Sequence, residues 1–560
     1  MASQIQPLPE DLIYLIAAGE VIDSLEAVVR ELVENALDAQ ATRITISVWP
    51  EQWRIQVADN GAGMDLTNLK QAATAHSTSK IRTIADLCQI TSLGFRGEAL
   101  HSLAQLAQLE ILSRPVGEIG WRVAYNRQGE PFEPEAVAIA PGTVVTVSDL
   151  FDNWQGRRQA LPSAQQLRSI HRIVGQIALC YPHVHWEVRN GSTCGLQISS
   201  GVGADSILPQ ILRGVRRSDL QPLKLQLTTP TPDTTSANSL QGVLGLPDRC
   251  HRHRPDWVKI ALNGRMVRSP EIQQTILTAF SRTVPRDRFP VCFIHLQINP
   301  AYIDWNRHPA KEEVYLHHLD IWQQQIQTCI ENALRLNPTT AVAKLDRVDK
   351  LLKVSEEQGR YQTHRSISTQ KERLRGEELS LIELKAIAQV HNTYIVAEHP
   401  NGLWLVEQHI AHERVLYEQL CEAWKQVNIE PPILLQQLST PQLEQLQRLG
   451  LQVDPFGEQL WAVRTVPEML SQREDCREAL IELSLGKDLE AALVATACRS
   501  AIRNGTPLSL PEMQTLLEQW VRTRNPRTCP HGRPIFLRLD ESSLSRFFRR
   551  HWVIGKSHGI

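Results

Sequence analysis

Between Leu336 and Leu379 the sequence loses the means to build a core. The run SEEQGRYQTHRSISTQKERLRGEELS (355–380) carries few large apolar side chains and no helical or strand period. Such a stretch cannot bury enough surface to offset the entropy of ordering it. We therefore read residues 336–379 as a flexible linker. The chain must then fold as separately cored parts on either side. At roughly 100–200 residues per domain, 560 residues predict three or four domains. A hydrophobic fraction of 42% and a charged fraction of 21% supply ordinary globular cores on both sides. Near residue 215 the texture of the first part changes, so we divide it into residues 1–215 and 216–335, followed after the linker by 380–560.

Several classes are disfavoured. The net charge of -2 gives no bulk basicity, so contact with nucleic acid must come from local patches. The ten cysteines are scattered, unlike a disulfide scaffold. The first residues, MASQIQPLPEDL, have no basic-then-apolar pattern, and no apolar run is long enough for a membrane span. These features predict a cytoplasmic protein without a membrane role.

Alternation at Ile44, Ile46, Val48 and then Trp53, Ile55, Val57 predicts paired strands, and Thr143–Val147 predicts another. The Pro/Thr-rich run Thr228–Thr235 reads as a surface loop. Ahead of the strands lies AVVRELVENALDAQ. At roughly 100° per residue, Glu31, Glu34, Asn35 and Asp38 share one helix face, opposite Val29, Leu32, Val33 and Ala36. A solvated acidic face is the ordinary meaning of such a stripe. Asn35 argues for more, because asparagine is a poor mid-helix residue without a task. Next, VADNGAGM (57–64) delivers Asp59 at a strand end, with Gly61 and Gly63 allowing a sharp turn. A carboxylate there can accept from an exocyclic amine such as that of adenine, though an Asn-Gly turn alone is an ordinary hairpin. Third, TSLGFRGEAL (91–100) places glycines before a helix start, where backbone N–H groups meet phosphate. It lacks the lysine spacing of a P-loop. HSTSKI (76–81) adds hydroxyls and Lys80.

In this order LIAAGEVI, ELVENALDA, DNGAGM, STSKI and SLGFRGEAL resemble the signature of the MutL family of DNA mismatch-repair proteins, within the GHKL ATPase group of gyrase, heat-shock chaperones and histidine kinases. The likeness continues through LNGRMVRS (262–269) and WNRHPAKEEV (305–314). It implies an α+β and α/β multidomain chain. Residues 1–215 would form a GHKL (Bergerat) α/β sandwich and 216–335 a ribosomal-protein-like α/β subdomain. Residues 380–560 would form a C-terminal α/β dimerisation domain. By this resemblance Glu31 is the general base and Asn35 holds magnesium. Asp59 reads adenine, with Asp38, Gly61, Gly63, Thr78, Ser79 and Lys80 around the ATP. Gly94, Phe95, Arg96 and Gly97 form a lid, and Lys311 reaches the γ-phosphate. The departures are IDSL (22–25) for a Val-Glu-Arg-Pro-like run, and Trp154–Gly156 for a Thr-Pro-Ala core in FDNWQGRRQAL (151–161).

In the C-terminal part, Tyr394, Val396, Leu403 and Leu405 suggest strands, with a helix through Arg414 to Ala423. LVEQHIAHERVLYEQL (405–420) puts Glu407 and His409 at a strand end, with Glu413 and Glu418 on a helix. TACRSAI contributes Cys498, and TCPHGRPIF contributes Cys529 and His531. This donor set suits zinc or manganese, although any single pair is commonly a buried thiol and a capping histidine. The blocks resemble the endonuclease motifs of some MutL proteins, with Glu407 in place of Asp and Ile410 in place of Ala. The resemblance implies metal-dependent nicking, and the alternative is a matchmaker without nuclease activity. QVNIEP (426–431) fits a sliding-clamp peptide through Gln426, Ile429 and Pro431, with an ordinary loop as its competitor.

Arg157, Arg158, Arg216, Arg217 and Arg252 are candidate contacts for double- and single-stranded DNA without sequence specificity. SSGVGADS (199–206) fails as a dinucleotide fingerprint at Ser206, and CHRHR (250–254) is too crowded for a metal site. The expected partners are a second copy of the chain, a MutS-like mismatch-recognition protein, DNA and a clamp. A topoisomerase or a kinase of the same ATPase group would need a cleavage tyrosine in a breakage domain or a phosphoacceptor histidine domain, and neither is evident.

Overall fold

The computed structural model describes residues 10–541 and 544, apart from 82, 84–91, 95–96, 159–161, 229–237, 286, 305–313, 337–381, 423, 474, 487 and 542–543. The linker assigned to 336–379 therefore lies outside the described residues except for Leu336, as does most of the Thr228–Thr235 loop. Tertiary contacts divide the chain into two compact units. One comprises residues 1–245, 255–278 and 291–329; the other comprises 246–254, 279–290 and 330–560. Within the first unit, one sheet ends at Ile198 and the next opens at Leu220.

The first unit begins with helices α1 (Glu10–Val21) and α2 (Leu25–Asp38). Ser24 starts α2 by accepting a hydrogen bond from the Ala27 N–H at 3.2 Å, so the departure at IDSL supplies an N-cap. Val28, Val29, Leu32, Val33 and Ala36 recur at helical spacing and are buried. Strands β1 (Arg43–Trp49) and β2 (Arg54–Asp59) form the expected antiparallel pair, with Ile46 opposite Val57. Trp53 is not in the strand; it closes the preceding turn with φ 49° and meets Phe151 edge-on.

Helices α3 (Leu66–Gln71) and α4 (Ala99–Leu106) precede β3 (Gln108–Arg114), β4 (Gly120–Tyr125), β5 (Glu135–Val137) and β6 (Gly142–Ser148). After α5 (Gln155–Arg158) and α6 (Ser163–Cys180) come β7 (His185–Asn190), β8 (Thr193–Ile198) and α7 (Ala204–Ile211). The eight strands lie in the order β5-β4-β3-β6-β2-β1-β7-β8, and the β1–β7 pair is parallel. Helices α2 and α6 pack together beside this sheet, making an α/β sandwich.

A second sheet follows from β9 (Leu220–Leu227), β10 (Asn238–Gly245), β11 (Val258–Leu262) and β12 (Arg265–Val267), then helix α8 (Pro270–Ala279) and β13 (Cys292–Gln297). Its order is β12-β11-β13-β10-β9. Helix α9 (Leu319–Leu334) comes after it.

The other unit contains β14 (Lys385–Val390), β15 (Tyr394–His399), β16 (Gly402–Glu407), α10 (Gln408–Glu422), β17 (Gln426–Gln436), α11 (Thr440–Arg448), β18 (Val453–Gly457) and β19 (Leu460–Pro467). Helices α12 (Cys476–Leu485), α13 (Leu489–Ser500) and α14 (Leu510–Val521) and strand β20 (Phe536–Asp540) complete it. One antiparallel sheet runs β14-β15-β16-β20, and another runs β17-β19-β18. The first packs Ile395, Ala397, Trp404 and Val406 against α10 and α14. Trp404 and Phe536 stack with their ring centroids 4.5 Å apart. The residues that signalled these strands, Tyr394, Val396, Leu403 and Leu405, alternate with that buried set and face away from it. The sheet is thus apolar on both faces.

Candidate functional site

The first unit encloses a cleft of about 1180 Å³ against one face of α2. Burial of the valine-leucine face fixes the rotation of α2 and presents Glu31, Asn35 and Asp38 to the cleft. Glu34, grouped with them from the sequence, does not line it. Its buried carboxylate accepts from Arg265 Nη2 at 2.7 Å. The physical reason is angular: Glu34 sits at the edge of the stripe, where the helix meets protein.

Strand β2 pairs Asp59 with Ile44 on one side and Thr143 on the other, bringing the carboxyl to the cleft wall. Burial pushes this carboxyl above its ordinary value, partly offset by the N–H groups of Gly61 and Thr143. The Gly61 N–H donates to Asp59 Oδ1 at 2.8 Å. Gly63 adopts φ +73°, and a Cβ there would stand 2.4 Å from the Arg114 carbonyl oxygen, so the turn requires glycine. Thr78, Ser79, Gly94 and Gly97 also line the cleft.

One position in the cleft is strongly set for an anion. Asp38 Oδ1 accepts from the Leu93 N–H at 2.9 Å, and Oδ2 accepts from the Gly94 N–H at 3.0 Å. Lys80 Nζ donates to Asp38 Oδ2 at 2.5 Å and to Asn35 Oδ1 at 3.1 Å. Two backbone N–H groups and an ammonium converging on carboxylate oxygens are the donors a phosphate would use. Phe95, Arg96 and Lys311 lie outside the described residues. Sequence reasoning did not find Met64, Asn68, Thr143, Val145 or Tyr181, which also line the cleft. Tyr181 arrives from the end of α6 and Thr143 through strand register, so neither carries a local motif.

The C-terminal unit gathers five of the six proposed ligands. The ligand atoms of His409, Glu413 and Cys498 lie within 4.8 Å of one another, as do those of Glu413, Cys529 and His531. Glu413 is buried at the centre, with His531 Nδ1 2.6 Å from Oε1 and Arg533 Nη2 donating to Oε2 at 2.9 Å. Burial pushes the Glu413 carboxyl up, but His531 and Arg533 outweigh it and hold the group below its ordinary value. Hydrogen bonds with Cys529 and then Glu413 raise His531 to about 9. His409 Nδ1 lies 2.9 Å from the Ile502 carbonyl, leaving Nε2 3.9 Å from Cys498 Sγ.

Two readings need correction here. His409 belongs to the first turn of α10, not to a strand. Glu407 is absent from the cluster: it ends β16, and its Oε2 accepts from the Ile410 N–H at 2.5 Å, capping α10. Glu418 instead accepts from the Arg524 and Asn525 N–H groups. Ile410 packs against the core beneath the first C-terminal sheet.

The candidate DNA-contacting arginines differ in their surroundings. Arg157 donates to the Gly19 and Ile22 carbonyls at 2.7 and 3.0 Å and lies 3.9 Å over Trp154, so the fold consumes it. Arg158 donates to the Leu150 carbonyl, and Arg217 pairs with Asp205. Arg216 is exposed, while Arg252 falls in the other unit. In the clamp-like segment, Gln426 donates to the Leu449 carbonyl at 2.8 Å and Ile429 packs on a core. These residues and the exposed Pro431 lie on edge strand β17, at an irregularity between Asn428 and Ile433.

The sandwich and its cleft define a class. Residues 23–128 match the histidine kinase-, DNA gyrase B- and HSP90-like ATPase family. Residues 225–335 match the DNA mismatch repair protein C-terminal domain, and 387–508 match the MutL C terminal dimerisation domain. A DNA mismatch repair protein MutL from Nostoc sp. is 59% identical over the whole of both chains. One from Methanoculleus marisnigri is 33% identical over 98% of this chain and all of its own. The solved Aquifex aeolicus MutL ATPase domain complexed with ADP aligns at 19% identity and TM-score 0.37, covering 50% of this chain and 94% of that one. The chain belongs to the MutL family of DNA mismatch repair proteins.

Proposed function

We propose that this chain is an ATP-driven dimerising switch that couples mismatch recognition by a MutS-like protein to strand incision. The observation that carries this reading is the cleft, where Glu31, Asn35 and Asp59 stand around the anion-tuned position at Asp38 and Lys80. Asp59 would accept from the adenine amine. Lys80 and the Leu93 and Gly94 N–H groups would turn from Asp38 to phosphate. Glu31 would orient water and take its proton as the water oxygen bonds the γ-phosphorus and the bond to the ADP oxygen breaks. Asn35 would hold magnesium, whose chemistry is to neutralise charge on the phosphates. An oxygen donor in a phosphate-binding cleft fits that ion. Phe95, Arg96 and Lys311 keep the lid and γ-phosphate roles that the resemblance implies. ATP would close the N-terminal halves around DNA while the C-terminal halves stay paired, and hydrolysis would reopen them. Glu31→Ala should bind ATP with near wild-type affinity yet hydrolyse it at least ~100-fold more slowly. Hydrolysis at the wild-type rate would remove the general-base assignment.

A nicking activity is the second reading. The joined triads around Glu413 favour it, because thiol, imidazole and buried carboxylate suit zinc or manganese. A metal held there would stabilise charge on a DNA phosphate. Purified protein should contain zinc or take up manganese and nick supercoiled plasmid, with both lost in Glu413→Ala. Bound metal without nicking would leave the matchmaker reading. Among the DNA candidates, exposed Arg216 is the best placed. Binding of the clamp-like segment to a sliding clamp would require Ile429 to leave its core contact.

A further inference from the structure

We propose that Arg265 is a positioning residue that ties the phosphate-binding loop and helix α2 to the hairpin of the second sheet; this rests on the ATPase reading. Arg265 opens β12, directly after the Asn263–Gly264 turn. That turn uses φ +44° and +87°, the left-handed pair of a tight hairpin. It is fixed to β13 and the residue that follows. The Gly264 N–H donates to His295 Nε2 at 2.8 Å, the Asn263 N–H donates to the Leu296 carbonyl at 2.9 Å, and the Asn263 side chain exchanges two hydrogen bonds with Ile298. The guanidinium is therefore delivered from a rigid base.

Its Nη2 donates to Glu34 Oε2 at 2.7 Å and also to the Leu93 carbonyl oxygen. Both side chains of the ion pair are 8% exposed. Glu34 adjoins Asn35, and Glu31 lies one turn earlier on the same helix. Leu93 and Gly94 donate the two N–H groups that converge on Asp38. One guanidinium thus grips both the element carrying the hydrolytic carboxylate and the loop presented to the anion. Arg265 is not among the residues that line the cleft, so it acts through its partners. Both bonds leave from Nη2 at the far end of the guanidinium; a lysine keeps the charge, but its ammonium stops one bond short of that position and so loosens both contacts. Removing the charge would strip a buried carboxylate of this ion pair, which tests folding more than function.

The test is ATP hydrolysis by full-length Arg265→Lys and Glu34→Gln, singly and together, with thermal unfolding measured beside it. We expect Arg265→Lys to keep its midpoint within a few degrees of wild type, to lose at least tenfold in kcat, and to change KM less than threefold. The double variant should lose no more than the worse single one, because both remove the same tie. Wild-type kcat in a folded Arg265→Lys overturns the proposal. So does a kcat loss matched by a comparable loss of unfolding midpoint, or one that multiplies with Glu34→Gln. If the wild-type chain hydrolyses no ATP, the ATPase reading itself fails, and that outcome is distinct from all of these.

Discussion

His295 shows how one buried residue sets a condition on the whole hairpin. Burial lowers its pKa from 6.5 to about 4, and its neutral Nε2 accepts the Gly264 N–H. In the unfolded chain the imidazole takes up a proton near its ordinary value. In the fold it resists until about pH 4. Between pH 6.5 and 4 the unfolded state therefore binds more protons, so stability falls as pH drops through that window and is fully retained above it. The loss approaches about 3 kcal/mol at the low end. Urea unfolding of wild type and His295→Asn at pH 7.5 and 5 should show the steeper acid loss in wild type. Equal slopes would mean the ring is not buried neutral. The site residues differ from His295: Glu31, Asn35 and Asp59 stand out by residue type and position, and the family resemblance assigns their roles. Asp59 and Gly63 follow from a strand ending in an Asn-Gly turn. Glu34 was misplaced by a single step of helical angle, since the stripe alone does not say where the cleft ends and the neighbouring hairpin begins.

Elements were legible where their period was clean. Helix α2, the β1–β2 pair and β6 follow from apolar spacing of 3.6 or 2. The start of α10 was not, because Glu407 ends a strand and caps the helix at once, leaving no polar break between them. In the first C-terminal sheet the pattern was misleading in a useful way. Ile387, Val390, Tyr394, Leu403 and Leu537 are 36–57% exposed, on the sheet whose other face is packed. An uncovered apolar sheet face is costly in water and marks an association surface. The matching family is a dimerisation domain, and this face is our candidate for its contact. Leu403→Glu with Tyr394→Glu should shift the full-length chain from dimer to monomer in sedimentation equilibrium, with its far-ultraviolet dichroism unchanged. A dimer of undiminished affinity would assign pairing to another surface.

At the scale of the molecule, the sequence by itself determined the classes of chemistry. Ordered motifs around Glu31, Asn35, Asp59 and Gly94 point to a nucleotide cleft, because each carries a side chain or backbone turn that such chemistry uses. The sequence also places apolar patterning on either side of the polar run 355–380. Only tertiary structure decided which residues meet across long separations. It joined Arg265 to Glu34 and to Leu93, gathered His409, Cys498, Cys529 and His531 around Glu413, and left Glu407 to a helix cap. It also spent Arg157 on the Gly19 and Ile22 carbonyls, where the sequence suggested DNA. The reason is physical. A local motif fixes its own backbone geometry, but a contact between distant residues depends on sheet register, helix rotation and burial, which the whole fold sets together.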